Sequence, residues 1–188
     1  MIAPAFLSQG AKVHDLGPIS DFPQGEFVLA TFTSDPAQGA VSRRAVYVRN
    51  NGVIAGQSSF TILSGRSSYL GCPIAPNGVV FSQRAKRYLD VTLLPTVPDG
   101  FGSSCHPPLF PGVQYDREGN PTIGPSTRAL DRYAFSIRKA HLFIAEPYSV
   151  SHVDGSGATA KIHRWPLAFP GEPVSGIESW LYPIQPAH

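Results

Sequence analysis

The sequence predicts an all-β protein, and three observations carry that expectation. Apolar residues recur mostly with a period of two, the spacing of side chains that alternate between the faces of a strand. Glycine and proline, 18 and 19 of 188 residues, make up about a fifth of the chain, which favours short strands and long ordered loops over helices. The longest apolar runs, such as "FVLATF", are strand-sized, and none approaches the roughly 20 residues of a membrane-spanning helix.

The elements follow in order. "EFVLATFTS" (26–34) reads as a strand. "RRAVYVRNNGVIAG" (43–56) reads as a strand running into an Asn-Gly turn, the strongest short hairpin signal. "SSFTILSG" (58–65) is the next strand, and the loop "GRSSYLGCP" (65–73) follows it. Residues 84–94 read either as a short helix or as an irregular excursion. "GVQYDREGNPTIGPS" (112–126) has the pattern of a strand, a turn and a Pro-containing loop. "YAFSIRKAHLFIAE" (133–146) alternates well and predicts two strands around a tight Arg-Lys-Ala turn. Residues 147–188 are rich in Pro, Gly and Ser and carry Trp165, Phe169, Trp180 and Tyr182. This tail is expected to be extended and mostly irregular, packed on the domain or on a partner, with "VDGSGATA" (153–160) as a free loop. The chain shows no internal repeat and has the length of one domain, 1–146, with the tail as an extension.

Charge narrows the function. Charged residues are 15% of the chain, the net charge is +2, and no Lys/Arg run or basic stripe is present, so a nucleic-acid or other polyanion partner is not expected. The first residues, "MIAPAFLSQGAK", are too short and too polar for a secretory leader.

The two cysteines, Cys72 and Cys105, each sit in a Gly/Ser/Pro loop. Paired, they close a loop worth about 3–4 kcal/mol and point to an oxidising compartment; unpaired, they are two unrelated buried thiols. Of the histidines (14, 106, 141, 152, 163 and 188) none forms a His-x-His or His-x-x-x-His pair, and His152 and His163 read as surface or packing residues of the tail. Ser103, Ser104 and His106 are close in sequence, but there is no Gly-x-Ser-x-Gly elbow to support a hydrolase. "GNPTIGPSTRAL" lacks the Gly-Lys-Ser/Thr ending of a phosphate loop. Arg128 reads as structural, paired with Asp131 or a carbonyl. No catalytic residue is expected.

The stretch from about 45 to 145 resembles the Rieske iron–sulfur domain of quinol–cytochrome c oxidoreductases. In that family one loop reads Cys-x-His-Leu-Gly-Cys-Pro and a second Cys-x-Cys-His; the outer cysteines bind one iron and the histidines the other. Here the first loop is Ser67-Ser68-Tyr69-Leu70-Gly71-Cys72-Pro73 and the second Ser103-Ser104-Cys105-His106. The family's following strand, Gly-Pro covering loop and Arg-Ala-Leu find counterparts in "FPGVQYDREGNPTIGPSTRALDRYAFSIRKAHLFI" (110–144), with Gly124, Pro125 and Ser126 as the covering loop.

The resemblance implies an antiparallel β-sandwich with a small inserted lobe, about 65–127, and a Cys72–Cys105 disulfide. The departures from the family bear on function. Ser67 and Ser103 replace both thiolates, Tyr69 replaces one histidine, and His106 is the only ligand type retained. A serine hydroxyl is a hard oxygen that ionises far less readily than a thiol, so the iron that had two sulfur ligands keeps none. The expectation is a cluster-free Rieske-type subunit with no cofactor. It would act structurally in a membrane electron-transfer complex of the respiratory kind, on the extracytoplasmic side, as the soluble part of a membrane-anchored protein beside a cytochrome b- or c-type partner. The alternative is a redox carrier that keeps a [2Fe–2S] cluster or holds a single metal on His106 and Tyr69.

Overall fold

Alternation along the central strands explains why this chain folds around two cores. The computed structural model describes residues 13–103 and 112–165, and contains β1 (His14–Pro18), β2 (Phe27–Thr33), β3 (Arg43–Ile54) and β4 (Gln57–Ser64). Next come β5 (Ile74–Val80), β6 (Lys86–Tyr88), β7 (Val91–Ser103), β8 (Val113–Tyr115) and β9 (Pro121–Ile123). The last are β10 (Arg132–Arg138), β11 (His141–Tyr148), β12 (Val150–Asp154) and β13 (Lys161–Arg164). The fold is all-β: every pairing between these strands is antiparallel, and the helical segments among the described residues are short 3-10 turns.

The main sheet runs β1-β11-β10-β4-β3-β2-β7-β8-β9, with β5 and β6 both paired to β7. β10 meets β4 at a single register pair, Arg132↔Leu63. Val28, Ala30 and Phe32 of β2, Val46 and Val48 of β3, and Phe60 and Ile62 of β4 face one cluster, closed from the far side by Leu16, Leu142 and Ile144. The opposite-parity residues Phe27, Tyr47 and Leu63 face a second cluster with Ile74, Phe101, Val113, Tyr115 and Leu130. The β2–β3–β4 layer is therefore buried on both sides, which is why these segments read as near-continuous apolar runs.

Three local expectations are corrected. Asn51-Gly52 does not turn the chain: β3 passes through it, with a register irregularity between Asn50 and Gly52. The turn falls at Ala55 and Gly56, with φ of 49° and 79°, the paired positive φ of a two-residue hairpin whose twist matches its strands. Residues 84–94 are not a helix but the β6–β7 hairpin, turned at Leu89 (φ 52°) and Asp90, with Tyr88 opposite Val91. The tail is not irregular over its described part: β12 and β13 pair as a separate two-stranded sheet, so Val153 and Asp154 belong to a strand. Phe169, Trp180 and Tyr182 lie outside the described residues. The tight turn between β10 and β11 stands as expected, at Lys139 and Ala140.

Tyr47 joins the second core to the loop beyond β4, its hydroxyl donating to the Ile74 carbonyl at 3.0 Å. Burial pushes its phenol up to about 12. The folded protein thus keeps a proton that the unfolded chain releases near pH 10, so stability falls as pH rises from about 10 to 12. The urea midpoint should decline over that range, and the decline should be shallower in Tyr47→Phe.

Candidate functional site

The first loop leaves β4 at Gly65, where a Cβ would meet the Ala45 carbonyl oxygen at 2.5 Å, so only glycine fits. It then folds back on itself. The Ser67 amide donates to the Cys72 carbonyl at 2.7 Å, Arg66 bridges Pro73, and the Ile74 amide donates to the Gly65 carbonyl at 3.0 Å. Leu70 and Gly71 take positive φ, 62° and 64°, to close the turn. Arg66 Nη1 caps the Gly71 carbonyl at 3.1 Å, and burial followed by the nearby Arg44 lowers its pKa.

Within this frame the serines form a hydroxyl chain. Ser67, 5% exposed, accepts from the Tyr69 amide at 3.0 Å, and its Oγ lies 2.7 Å from Tyr115 Oη. Tyr115 Oη lies 3.1 Å from Ser68 Oγ, which is 2.8 Å from Ser126 Oγ. Ser68 and Ser126 both reach the Arg128 carbonyl, at 2.9 and 3.0 Å. One direction satisfies the inner part of this chain: Ser67 donates to Tyr115, Tyr115 to Ser68, and Ser68 onward to the carbonyl. The first loop and the 124–126 segment are thus held together through side chains, while Gly124 and Pro125 themselves are exposed.

The structure places the other predicted positions as follows. Tyr69 is half-buried, its ring packed against the second core. Ser103 is buried at the end of β7, between Ile74 on β5 and Val113 on β8. Cys72 is 5% exposed, and no cysteine among the described residues is free. Cys105 and His106, with Ser104, lie outside the described residues. Arg128 pairs with Asp131 through Nη1 and reaches the Ala129 carbonyl at 3.4 Å, in the structural role expected of it.

The donors described at the positions that the resemblance assigns to ligands are all hydroxyl oxygens, from Ser67, Tyr69 and Ser103. They do not fit an iron–sulfur cluster, whose irons take thiolate and imidazole. Ser67 is in addition engaged on both sides by hydrogen bonds. Among the described residues no group of three or more His, Cys, Asp or Glu side chains stands arranged around a metal position.

Two features escaped sequence reasoning. Tyr115, at the centre of the hydroxyl chain, gave no signal beyond an inward-facing position on a short strand. Glu118 is the other: the residue is 6% exposed, and its carboxylate accepts from Arg49 Nη2 at 2.6 Å, from Arg132 Nη2 at 3.2 Å and from the Gly157 amide at 3.1 Å. It lies on an open cleft of about 620 Å³, with Arg49 and Arg117 on its wall and both guanidinium groups over the Phe27 ring. Asp116, also on that wall, accepts from the amides of Glu118 and Asn120 within its own turn.

The chain matches no protein-family model and no curated protein. The local geometry makes its own test. Tyr115→Phe leaves the buried Ser67 hydroxyl without an acceptor for its proton, though the Tyr69 amide still donates to it, and should cost about 1–3 kcal/mol in chemical denaturation, far more than a Tyr→Phe change at the exposed end of a side chain.

Proposed function

We propose that this chain is a Rieske-type β scaffold that carries no [2Fe–2S] cluster and serves as a structural or interaction subunit of a membrane-associated electron-transfer complex. The observation that carries this reading is the Ser67–Tyr115–Ser68–Ser126 hydroxyl chain, which engages a former ligand position and ties it to the covering segment. A site meant to hold iron keeps its donors free to coordinate. Here the donor at 67 is engaged, and the ring at 69 is packed on the core. The loop itself is retained and closed, which suits a fold kept for its shape rather than for electron transfer.

The same reading pairs Cys72 with Cys105. Its support is that the chain has two cysteines and that none among the described residues is free. It also places the protein on the oxidising, extracytoplasmic side of a membrane, where such a bond persists, beside a cytochrome b- or c-type subunit. No helix among the described residues is long and apolar enough to cross a membrane. No catalysis of its own is assigned to the chain.

The deciding experiment is iron and sulfide analysis, with visible and EPR spectra, on protein reconstituted with both. A colourless, iron-free, folded protein is the expected outcome. Two irons with a Rieske-type signal overturn the reading, and one ferric ion with a phenolate charge-transfer band would move it to a mononuclear site on Tyr69 and His106. Separately, Cys72→Ser should cost about 3–4 kcal/mol. A melting temperature unmoved by reductant would sink the disulfide.

A further inference from the structure

The open cleft beside Glu118 has a polar wall, where most small-molecule sites are largely apolar. Two guanidinium groups, of Arg49 and Arg117, share that wall with three carboxylates, of Asp99, Asp116 and Glu118, and Ser156 joins them from the loop after β12. A ligand can use only the groups that the protein has not already engaged.

Two of the carboxylates are spoken for. Glu118 accepts from Arg49, Arg132 and the Gly157 amide. Asp116 Oδ1 accepts from the Glu118 and Asn120 amides at 2.8 and 2.9 Å, and Oδ2 from Asn120 Nδ2 at 3.2 Å. Arg49, 7% exposed, donates through Nε to Asn51 at 2.9 Å and through Nη2 to Glu118 and Thr61 at 2.6 and 3.4 Å. Its Nη1 makes no hydrogen bond among the described residues, yet it is not sealed from solvent. The exposed Arg117 guanidinium has no ion pair or hydrogen bond among the described residues either. Its carbon lies 5.9 Å from the centroid of the Phe27 ring, and that of Arg49 lies 5.1 Å from the same centroid. The exposed Asp99 carboxylate and Ser156 hydroxyl are likewise without a hydrogen bond among the described residues. What stays open is donor-rich, with one acceptor of full negative charge.

We propose that this cleft binds a small zwitterion, an α-amino acid, with its carboxylate on Arg117 and Arg49 Nη1 and its ammonium on Asp99. Guanidinium N–H groups match the two oxygens of a carboxylate, and an ammonium has three protons to give to carboxylate oxygens. The charges select a zwitterion over a simple anion. Three carboxylates on the wall oppose a dianion such as phosphate, and a bare monoanion would desolvate Asp99 without giving it a partner. Arg49 is fixed by its own hydrogen bonds, whereas Arg117 rests on a ring face and can adjust to the ligand. The cleft volume, about 620 Å³, leaves room for the amino-acid side chain. No residue here is one of the loop positions 67, 69, 103 and 106, so the inference stands or falls independently of the proposed function.

The test is amide NMR of the full chain with L-alanine, L-phenylalanine, L-glutamine and L-lysine, each added to about 10 mM, beside sodium acetate and methylammonium chloride at the same concentration. The expected result is a saturable shift of the Asp99, Arg117 and Ser156 amides by at least one amino acid, with a Kd roughly tenfold or more below those of acetate and methylammonium. Arg117→Gln should weaken that binding roughly tenfold or more, and Asp99→Asn should do the same while shrinking the advantage over acetate. Both positions are exposed, and unchanged circular dichroism confirms that each variant folds. Arg49 is left unaltered because it also holds the buried Glu118. The proposal is overturned if none of the amino acids moves these amides, if acetate binds as tightly as the best of them, or if either variant binds as tightly as the parent.

Discussion

The buried Glu118 carboxylate is the constraint on which the arrangement of elements depends. It is reached by Arg49 from β3, by Arg132 from β10 and by the Gly157 amide from the loop between β12 and β13. It sits itself in the turn between β8 and β9. Three other segments are thus fastened to the turn that carries this side chain. A buried arginine–carboxylate–arginine group contributes little net stability compared with apolar residues of the same shape, but losing its central carboxylate leaves two buried guanidinium groups facing each other. Its effect is therefore on geometry. It holds the β8–β9 hairpin, from which Tyr115 reaches the first loop, in one position relative to the central layer. Asn120 extends the fastening by exchanging hydrogen bonds with the Val153 backbone, at 2.9 and 3.0 Å.

The hydroxyl chain at Ser67, Tyr115, Ser68 and Ser126 depends on that placement. Each member is a neutral group that both donates and accepts, so the chain can be satisfied without charge and without a ligand. A thiolate at position 67 would be an anion in a nearly closed site, needing a metal or strong donors to be tolerated. Serine removes that demand. In the proposed cluster-free scaffold, the loop keeps its turn because its backbone hydrogen bonds and the Gly65 contact are independent of what position 67 carries.

Much of the fold was legible in the sequence because its strands are short apolar stretches bounded by turn residues. "EFVLATFTS" and "YAFSIRKAHLFIAE" become β2 and the β10–β11 pair, and Arg128, expected to pair with Asp131 or a carbonyl, does both. Local signals misled where two turn chemistries competed. Asn51-Gly52 has the stronger hairpin composition, but four residues further on Ala55-Gly56 turns the chain while β3 continues through the first pair as a bulge. The 84–94 stretch misled for a different reason. Short strands that pair only with β7 bury few of their residues, so no clean apolar period marks them.

The candidate sites were legible only in part, and the reason is register. Loop residues 67–72 could be picked out because they are contiguous. Tyr115, Glu118 and the His152–His163 pair acquire meaning only through strands they do not belong to. The histidines show this most clearly: they are eleven positions apart in sequence, yet the register that opposes His152 to His163 makes them neighbours on one face, with Asp154 two residues from the first. In an all-β chain a side-chain cluster is distributed across strands, so periodicity can name each strand's faces while only the pairing can say which faces meet. A single residue of slip between β12 and β13 would turn one imidazole inward and separate the three. The buried Val150 and Val153, packed with Ala129, oppose that slip, so apolar packing on the inner face of the hairpin sets the polar geometry on its outer face.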